Sequence, residues 1–193
     1  NKGIVLTRRE SNNVPPNFFI RNLNSGNLKQ LTHFPNPFEA LKDVKKEFVK
    51  YKREDGIELT GTLYTPPGYD KDKDGPLPVL MWAYPREFKS KDAAGQVTDS
   101  PYEFIRVGWW SPILWVMAGY AVFDDFGMPI IGEGEEEPNE KFVEQLTSGA
   151  EAAINTIVEM GVADRARLAV GGHSYGAFMT ANLMAHTDLF AAG

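Results

Sequence analysis

The sequence predicts an α/β protein built on a mostly parallel sheet with helices on both faces. Three observations carry that reading. From residue 77 onward, apolar runs of strand length alternate with helix-period segments: Leu77 to Tyr84, Tyr120 to Phe123 and Leu168 to Val170 are the runs. The longest run, LPVLMWAY, is continuously apolar, as expected of a strand covered on both faces. Finally, the last run feeds a glycine-rich corner and a helix, in Arg167 to Ala185, RLAVGGHSYGAFMTANLMA.

Composition sets the bounds. The 193 residues can bury one sizeable core, and 42% hydrophobic with 24% charged residues is ordinary for a soluble globular chain. A net charge of −6 argues against nucleic acid or an anionic membrane as the main partner. With no cysteine, disulfides, thiolate metal sites and cysteine nucleophiles are excluded, while the compartment is left open. No apolar run reaches the ~18–20 residues of a membrane-spanning helix, and no signal-peptide pattern opens the chain. The chain starts on Asn1 and ends on Gly193 within no recognisable element, so it reads as an internal piece of a longer polypeptide.

Taken in order, residues 1–34 have an antiparallel β texture. Ile4, Val5 and Leu6 are a short apolar run; Asn17 to Leu23 and Leu28 to Thr32 form a hairpin through the turn Asn24-Ser25-Gly26-Asn27. His33 has no ligand-type residues at fixed spacing and reads as a surface or packing histidine. Pro35-Asn36-Pro37 is a connector, because two prolines in three residues disfavour helix and block strand pairing. The expected domains are 1–40 and 41–193. Glu47 to Lys52 and Ile57 to Thr65 form a second hairpin around Asp55-Gly56, closed by Pro66-Pro67-Gly68. The charged run Asp70 to Asp74 is a solvated loop, and no metal site is expected there.

After the strand Leu77 to Tyr84 comes a long polar loop, Pro85 to Pro101. Tyr102 to Met117 is rich in aromatics, and Pro112 suits the first turn of a helix running to about Ala118. A buried strand follows at Tyr120 to Phe123, then a solvated acidic loop at Glu133 to Glu137. Asn139 to Met160 is a strongly amphipathic helix: Phe142, Val143, Leu146, Ala150, Ala153, Ile154, Ile157 and Val158 share a face, and Gly161 stops it.

The corner Gly172-His173-Ser174-Tyr175-Gly176 is a G-x-S-x-G. A serine on a sharp strand-to-helix turn is held in a strained backbone conformation with its hydroxyl outward, and the flanking glycines leave room that a Cβ would occupy. The following helix presents Ala177, Phe178, Ala181, Met184 and Ala185 at helical spacing as the face to bury. Its N-terminus favours a developing negative charge. In a parallel sheet reactive groups gather at the carboxyl ends of strands, where Tyr84, Asp124 and Ser174 fall.

Gly171 to Met179, GGHSYGAFM, resembles the nucleophile segment of the prolyl oligopeptidase superfamily of serine peptidases, and most of all its glutamyl endopeptidase branch. Tyr84 to Phe88, Val107 to Trp110 and Phe123 to Pro129 support the likeness, which covers residues 44–193 well and 1–34 loosely. It implies that 41–193 is the first half of an α/β-hydrolase domain and 1–40 the end of the last blade of a β-propeller. The implied chemistry is peptide hydrolysis through an acyl-enzyme on Ser174, without a cofactor, acting on peptides or proteins. Oxyanion donors would be the Tyr175 backbone N–H and the Tyr84 hydroxyl, the latter open to a plain reading as a core tyrosine. Glutamyl specificity would need a cationic pocket, for which Arg86 and Arg106 are candidates, each readable also as a surface charge. The triad acid and histidine are expected beyond Gly193. Competing readings are a dipeptidyl or acylaminoacyl peptidase or a carboxylesterase on the same fold, or an idle binding module. Residues 1–193 alone are expected to be inactive and poorly soluble, since the sheet would be cut beside its central strand.

Overall fold

The computed structural model describes residues 3–97 and 99–193; Asn1, Lys2 and Thr98, the last within the loop expected over 85–101, lie outside the described residues. The chain divides into two compact units, Asn1–Asp43 with Ser100–Gly108, and Val44–Asp99 with Trp109–Gly193.

In the first unit, β1 (Ile4–Arg9), β2 (Asn17–Asn22) and β3 (Leu28–Gln30) form an antiparallel meander in that order. The turn is held by Asn22, whose Oδ1 accepts from the N–H groups of Asn24 and Ser25 at 2.9 and 3.1 Å. Asn17 is buried, and its Oδ1 accepts from the Thr32 hydroxyl and the Phe34 N–H. Residues 100–108, which lie within the expected span 41–193, group with this unit. Glu10 accepts from the Phe104 N–H at 3.0 Å and pairs with Arg106 at 2.6 Å, and Phe104 stacks on Phe38.

The second unit begins with the hairpin β4 (Lys45–Lys52) and β5 (Glu58–Thr65), turned at Gly56 with φ +85°. A one-turn helix α1 (Lys71–Asp74), capped by Asp70, stands where a loop was expected. Then come β6 (Leu77–Trp82), β7 (Arg86–Phe88), α2 (Lys91–Ala94), a 3-10 helix at Pro112–Ala118 capped by Ser111, β8 (Ala121–Asp124) and β9 (Pro129–Ile131). The chain continues through a 3-10 turn at Pro138–Lys141 into α3 (Phe142–Glu159), β10 (Ala163–Gly171) and α4 (Tyr175–His186).

Five strands make one sheet in the order β10-β6-β8-β5-β4. β6 pairs parallel with both β8 and β10, while β5 is antiparallel to β8 and to β4. The sheet is therefore mixed rather than mostly parallel, because the hairpin β4–β5 is built into it through β8. Val79, Met81, Phe123, Leu168 and Val170 join Leu146, Ala150, Ala153, Ile154 and Ile157 of α3 and Met179 and Leu183 of α4 in one core. The 3-10 helix packs on β5, β6 and β8, burying Ile113 and Val116.

Two further departures from the sequence reading matter for the site. The loop expected over 85–101 contains β7, which pairs parallel with β9 as a separate two-stranded ribbon. And α4 buries Gly176, Met179 and Leu183, leaving Phe178 and Met184 55% and 40% exposed. The helix is apolar around most of its circumference, so periodicity could not choose its inner face; the corner that precedes it does. Beyond α4, Ala192 forms a parallel bridge with Ala169, and the Val170 N–H donates to Ala192 O at 3.0 Å, so the outer edge of β10 is partly covered. No helix among the described residues is long and apolar enough to cross a membrane.

Candidate active site

The corner after β10 is closed by backbone contacts that only glycine permits. A Cβ on Gly172 would lie 2.5 Å from Ala83 O and 2.6 Å from Gly176 Cα, and one on Gly176 would strike the same Ala83 oxygen. The Ala83 N–H in turn donates to Gly171 O at 3.2 Å, so the ends of β6 and β10 are held together. Squeezed between these glycines, Ser174 takes φ +57° and ψ −113° and its side chain caps nothing. Among the described residues only Ser174 and Asp125 are non-glycine residues with positive φ. Such backbone costs of order 1–3 kcal/mol and persists only where surrounding structure imposes it. Ser174 is exposed.

Tyr175 is the first residue of α4, so its N–H has no intrahelical acceptor and lies at the helix's positive end, next to Ser174. Its ring stacks on Phe142 with centroids 5.5 Å apart and meets the ring of Tyr84 edge-on at 6.1 Å. Tyr84 follows the end of β6 and is 46% exposed. The structure thus brings Ser174, Tyr175 and Tyr84 to one end of the sheet. The Tyr175 hydroxyl donates to Glu87 Oε1 at 3.0 Å, with Asn139 Oδ1 at 3.3 Å. Burial first, and then the bond to the Glu87 carboxylate, pushes its pKa up to about 12.

Tyr84 and Arg86 line a cavity of about 80 Å³ together with Glu58, Asp99, Asp125 and Met128. Burial raises the Asp125 carboxyl above the ordinary range, against the opposing charge of Arg86. Asp124, at the end of β8, is pushed up to about 7, by burial first and by the neighbouring Asp125 charge second. Arg106 belongs to the first unit and is engaged by Glu10. Neither histidine near the corner is placed as a base for Ser174. His173 packs its ring edge-on against Trp109 at 6.0 Å. His186 ends the 12-residue α4, about 18 Å of helix rise from Ser174. Among the described residues no group of three or more His, Cys, Asp or Glu side chains is arranged to hold a metal ion.

Residues 133–193, which contain the corner, match the sequence model of the Prolyl oligopeptidase family. A protein of Arabidopsis thaliana named "Probable glutamyl endopeptidase, chloroplastic" is 53% identical over 190 residues, 98% of this chain and 20% of its own length. A protein of the same name from Oryza sativa subsp. japonica is 52% identical over 190 residues. The chain carries, in residues 133–193, a segment of the prolyl oligopeptidase family.

It spans about a fifth of the length of these curated relatives. Solved peptidase structures share the fold. The AtxE2 isopeptidase superposes with a TM-score of 0.67 at 24% identity, over 98% of this chain and 29% of the other. An acylaminoacyl peptidase of Pyrococcus horikoshii gives 0.63 at 19% identity, over 98% and 29%. Two features that shape the site were missed in the sequence. Glu87 lay within what read as a polar loop, where a three-residue strand has no detectable period. Gln145 sits on α3 and both accepts from the Ile131 N–H and donates to Ile131 O, each at 2.9 Å, a role no local pattern announces.

Proposed function

We propose that Ser174 is the nucleophile of a serine peptidase, forming an acyl-enzyme with the carbonyl of the scissile bond. The observation that carries this is the exposed Ser174 at φ +57°, at the N-terminus of α4 and held there by the clash of any non-glycine neighbour with Ala83 O. The Tyr175 N–H and the Tyr84 hydroxyl are the proposed oxyanion donors; they come from the two chain segments that the 6.1 Å ring contact joins. Loss of one such donor costs about 3–4 kcal/mol of transition-state stabilisation. The proton acceptor and its orienting acid are assigned outside residues 1–193, since His173 packs on Trp109 and His186 stands at the far end of α4.

Glutamyl specificity is supported by the names of the relatives that are 53% and 52% identical. Arg86 is the proposed carboxylate-binding group, because it lines the cavity beside Tyr84, whereas Arg106 is already paired with Glu10. The three-stranded meander is proposed as the end of a propeller's last blade. In support, Ile4, Leu6 and Leu23 are 52%, 64% and 60% exposed, more apolar surface than a free-standing meander of this size keeps.

The test uses the complete polypeptide that contains this chain. A fluorophosphonate probe is expected to label Ser174, and Ser174→Ala to abolish both labelling and peptide cleavage. Peptides with glutamate before the cleaved bond are expected to be preferred, and Arg86→Gln to lower kcat/KM on them by about 100-fold or more relative to glutamine peptides. Absence of labelling would overturn the nucleophile; unchanged glutamate preference in Arg86→Gln would overturn only the specificity assignment.

A further inference from the structure

The two proposed oxyanion donors lie on different segments; the glycine corner presses Gly176 onto the backbone of Ala83, but it does not set where the Tyr84 side chain carries its hydroxyl. The Ala83–Gly171 bond aligns the strand ends, but Tyr84 leaves β6 immediately afterward, with 46% of its surface exposed. What joins the segments beyond that point is the side chain of Tyr175. Its ring touches Tyr84 on one side and lies on Phe142 on the other. Its hydroxyl reaches Glu87, three positions after Tyr84 on the same segment, and Asn139, just before α3. A phenylalanine would fill the ring's place equally well, so packing does not explain the hydroxyl.

We infer that Glu87, acting through the Tyr175 hydroxyl, is a positioning residue that fixes the spacing of the Tyr175 N–H and the Tyr84 hydroxyl. The latch also gives the Glu87 carboxylate a phenol proton to accept, whereas an unattached carboxylate near a developing oxyanion would oppose the reaction. β7, which carries Glu87, is itself tied to β9, and β9 to α3 through Gln145, so the latch is anchored to the core. This inference rests on the serine peptidase reading above.

The experiment compares wild type, Tyr175→Phe, Glu87→Ala and Glu87→Gln in the complete polypeptide. Labelling of Ser174 is measured first, then kcat, KM and inhibition by a peptide boronate that mimics the tetrahedral state. Tyr175→Phe and Glu87→Ala are expected to lower kcat by about five- to tenfold, the scale of one charge-assisted hydrogen bond open to water. KM stays within about twofold, and the boronate weakens by the same factor as kcat, since the donors act on the transition state. Glu87→Gln keeps an oxygen acceptor and is expected to retain most of the activity. Should Tyr175→Phe be poorly folded, Glu87→Ala at its exposed site carries the test alone. Unchanged kcat in Glu87→Ala, a loss confined to KM, or Glu87→Gln as impaired as Glu87→Ala would each overturn the latch while labelling persists. A wild type that does not label overturns the nucleophile and the latch together.

Discussion

Two regions at the carboxyl end of the sheet are fixed by opposite means. The corner at Ser174 is held by missing atoms: Gly172 and Gly176 let the backbone of Ala83 approach, and every residue involved lies just after β6 or within a few positions of the nucleophile. The β7–β9 ribbon is held by added side chains from elsewhere. Arg53 donates to Pro129 O at 2.9 Å, Gln145 pairs with both backbone groups of Ile131, and Tyr175 reaches Glu87. The first kind of constraint is steric and nearly all-or-none. The second is a sum of polar contacts, each worth about 1 kcal/mol, and can be weakened by degrees.

That difference predicts how each region breaks. Gly176→Ala is expected to have the largest effect, since its Cβ would have to displace the Ala83 carbonyl, a backbone atom that cannot rotate away. We expect loss of more than about 100-fold in the rate of fluorophosphonate labelling and about 3 kcal/mol of stability, as for overpacking a rigid site. Labelling kinetics with calorimetry on the same preparation would check both. Wild-type labelling in Gly176→Ala would show that the corner tolerates movement and is not held sterically.

The same contrast explains what could be read in the sequence. The corner, β6, β8 and α3 were legible because their signals are local: glycines at fixed offsets, continuous apolar runs, and a clean helical stripe from Phe142 to Ile157. The buried face of α4 was misread, because Phe178, Ala181 and Met184 are as apolar as Met179 and Leu183. Only Gly176, pressed on Ala83, decides which side turns inward. The β7–β9 ribbon was illegible for a different reason. Three residues per strand carry no period, and its stabilising partners Arg53 and Gln145 are 76 and 14 positions away from the groups they bind. Glu10, which gathers residues 100–108, lies more than 90 positions upstream, a partner that no local pattern announces.

Charge separates the two regions further. In the ribbon region, hydrogen bonds from Arg53 hold the Asp55 carboxyl below its ordinary range, so that pair stabilises the fold above the unfolded carboxylate pKa and is lost as pH falls. Asp124, at the end of β8, behaves oppositely. Its pKa is raised to about 7 from an ordinary 3.8, so the folded state prefers the neutral acid and stability declines as pH rises between those values. Asp124→Asn is therefore expected to stabilise the protein by roughly 3 kcal/mol at about pH 8, with the gain shrinking toward zero near pH 4. Denaturation midpoints of the two proteins across that range provide the check; a gain independent of pH would refute the charge argument.

Gln145→Leu probes the ribbon directly and should cost less. It preserves side-chain bulk but leaves the buried N–H and C=O of Ile131 without partners, for a loss of about 2 kcal/mol. Because the damage is local, the Ile131 amide should exchange faster with solvent while labelling of Ser174 changes little. Equal loss of labelling would mean that the ribbon and the corner form one cooperative unit.

The smallest effect is the most diagnostic of strain. Ser174 occupies φ +57°, which costs any residue with a Cβ and costs glycine almost nothing. Ser174→Ala and Ser174→Gly both remove the hydroxyl, so neither should label; they differ only in the Cβ. Ordinarily glycine would be the less stable of the two, because its unfolded chain has more freedom to lose. Here the order should invert, with Ser174→Gly about 1 kcal/mol more stable than Ser174→Ala. Thermal midpoints of the two inactive proteins decide it. The usual order would mean that the corner bends without strain at residue 174, and that its glycines alone absorb the turn.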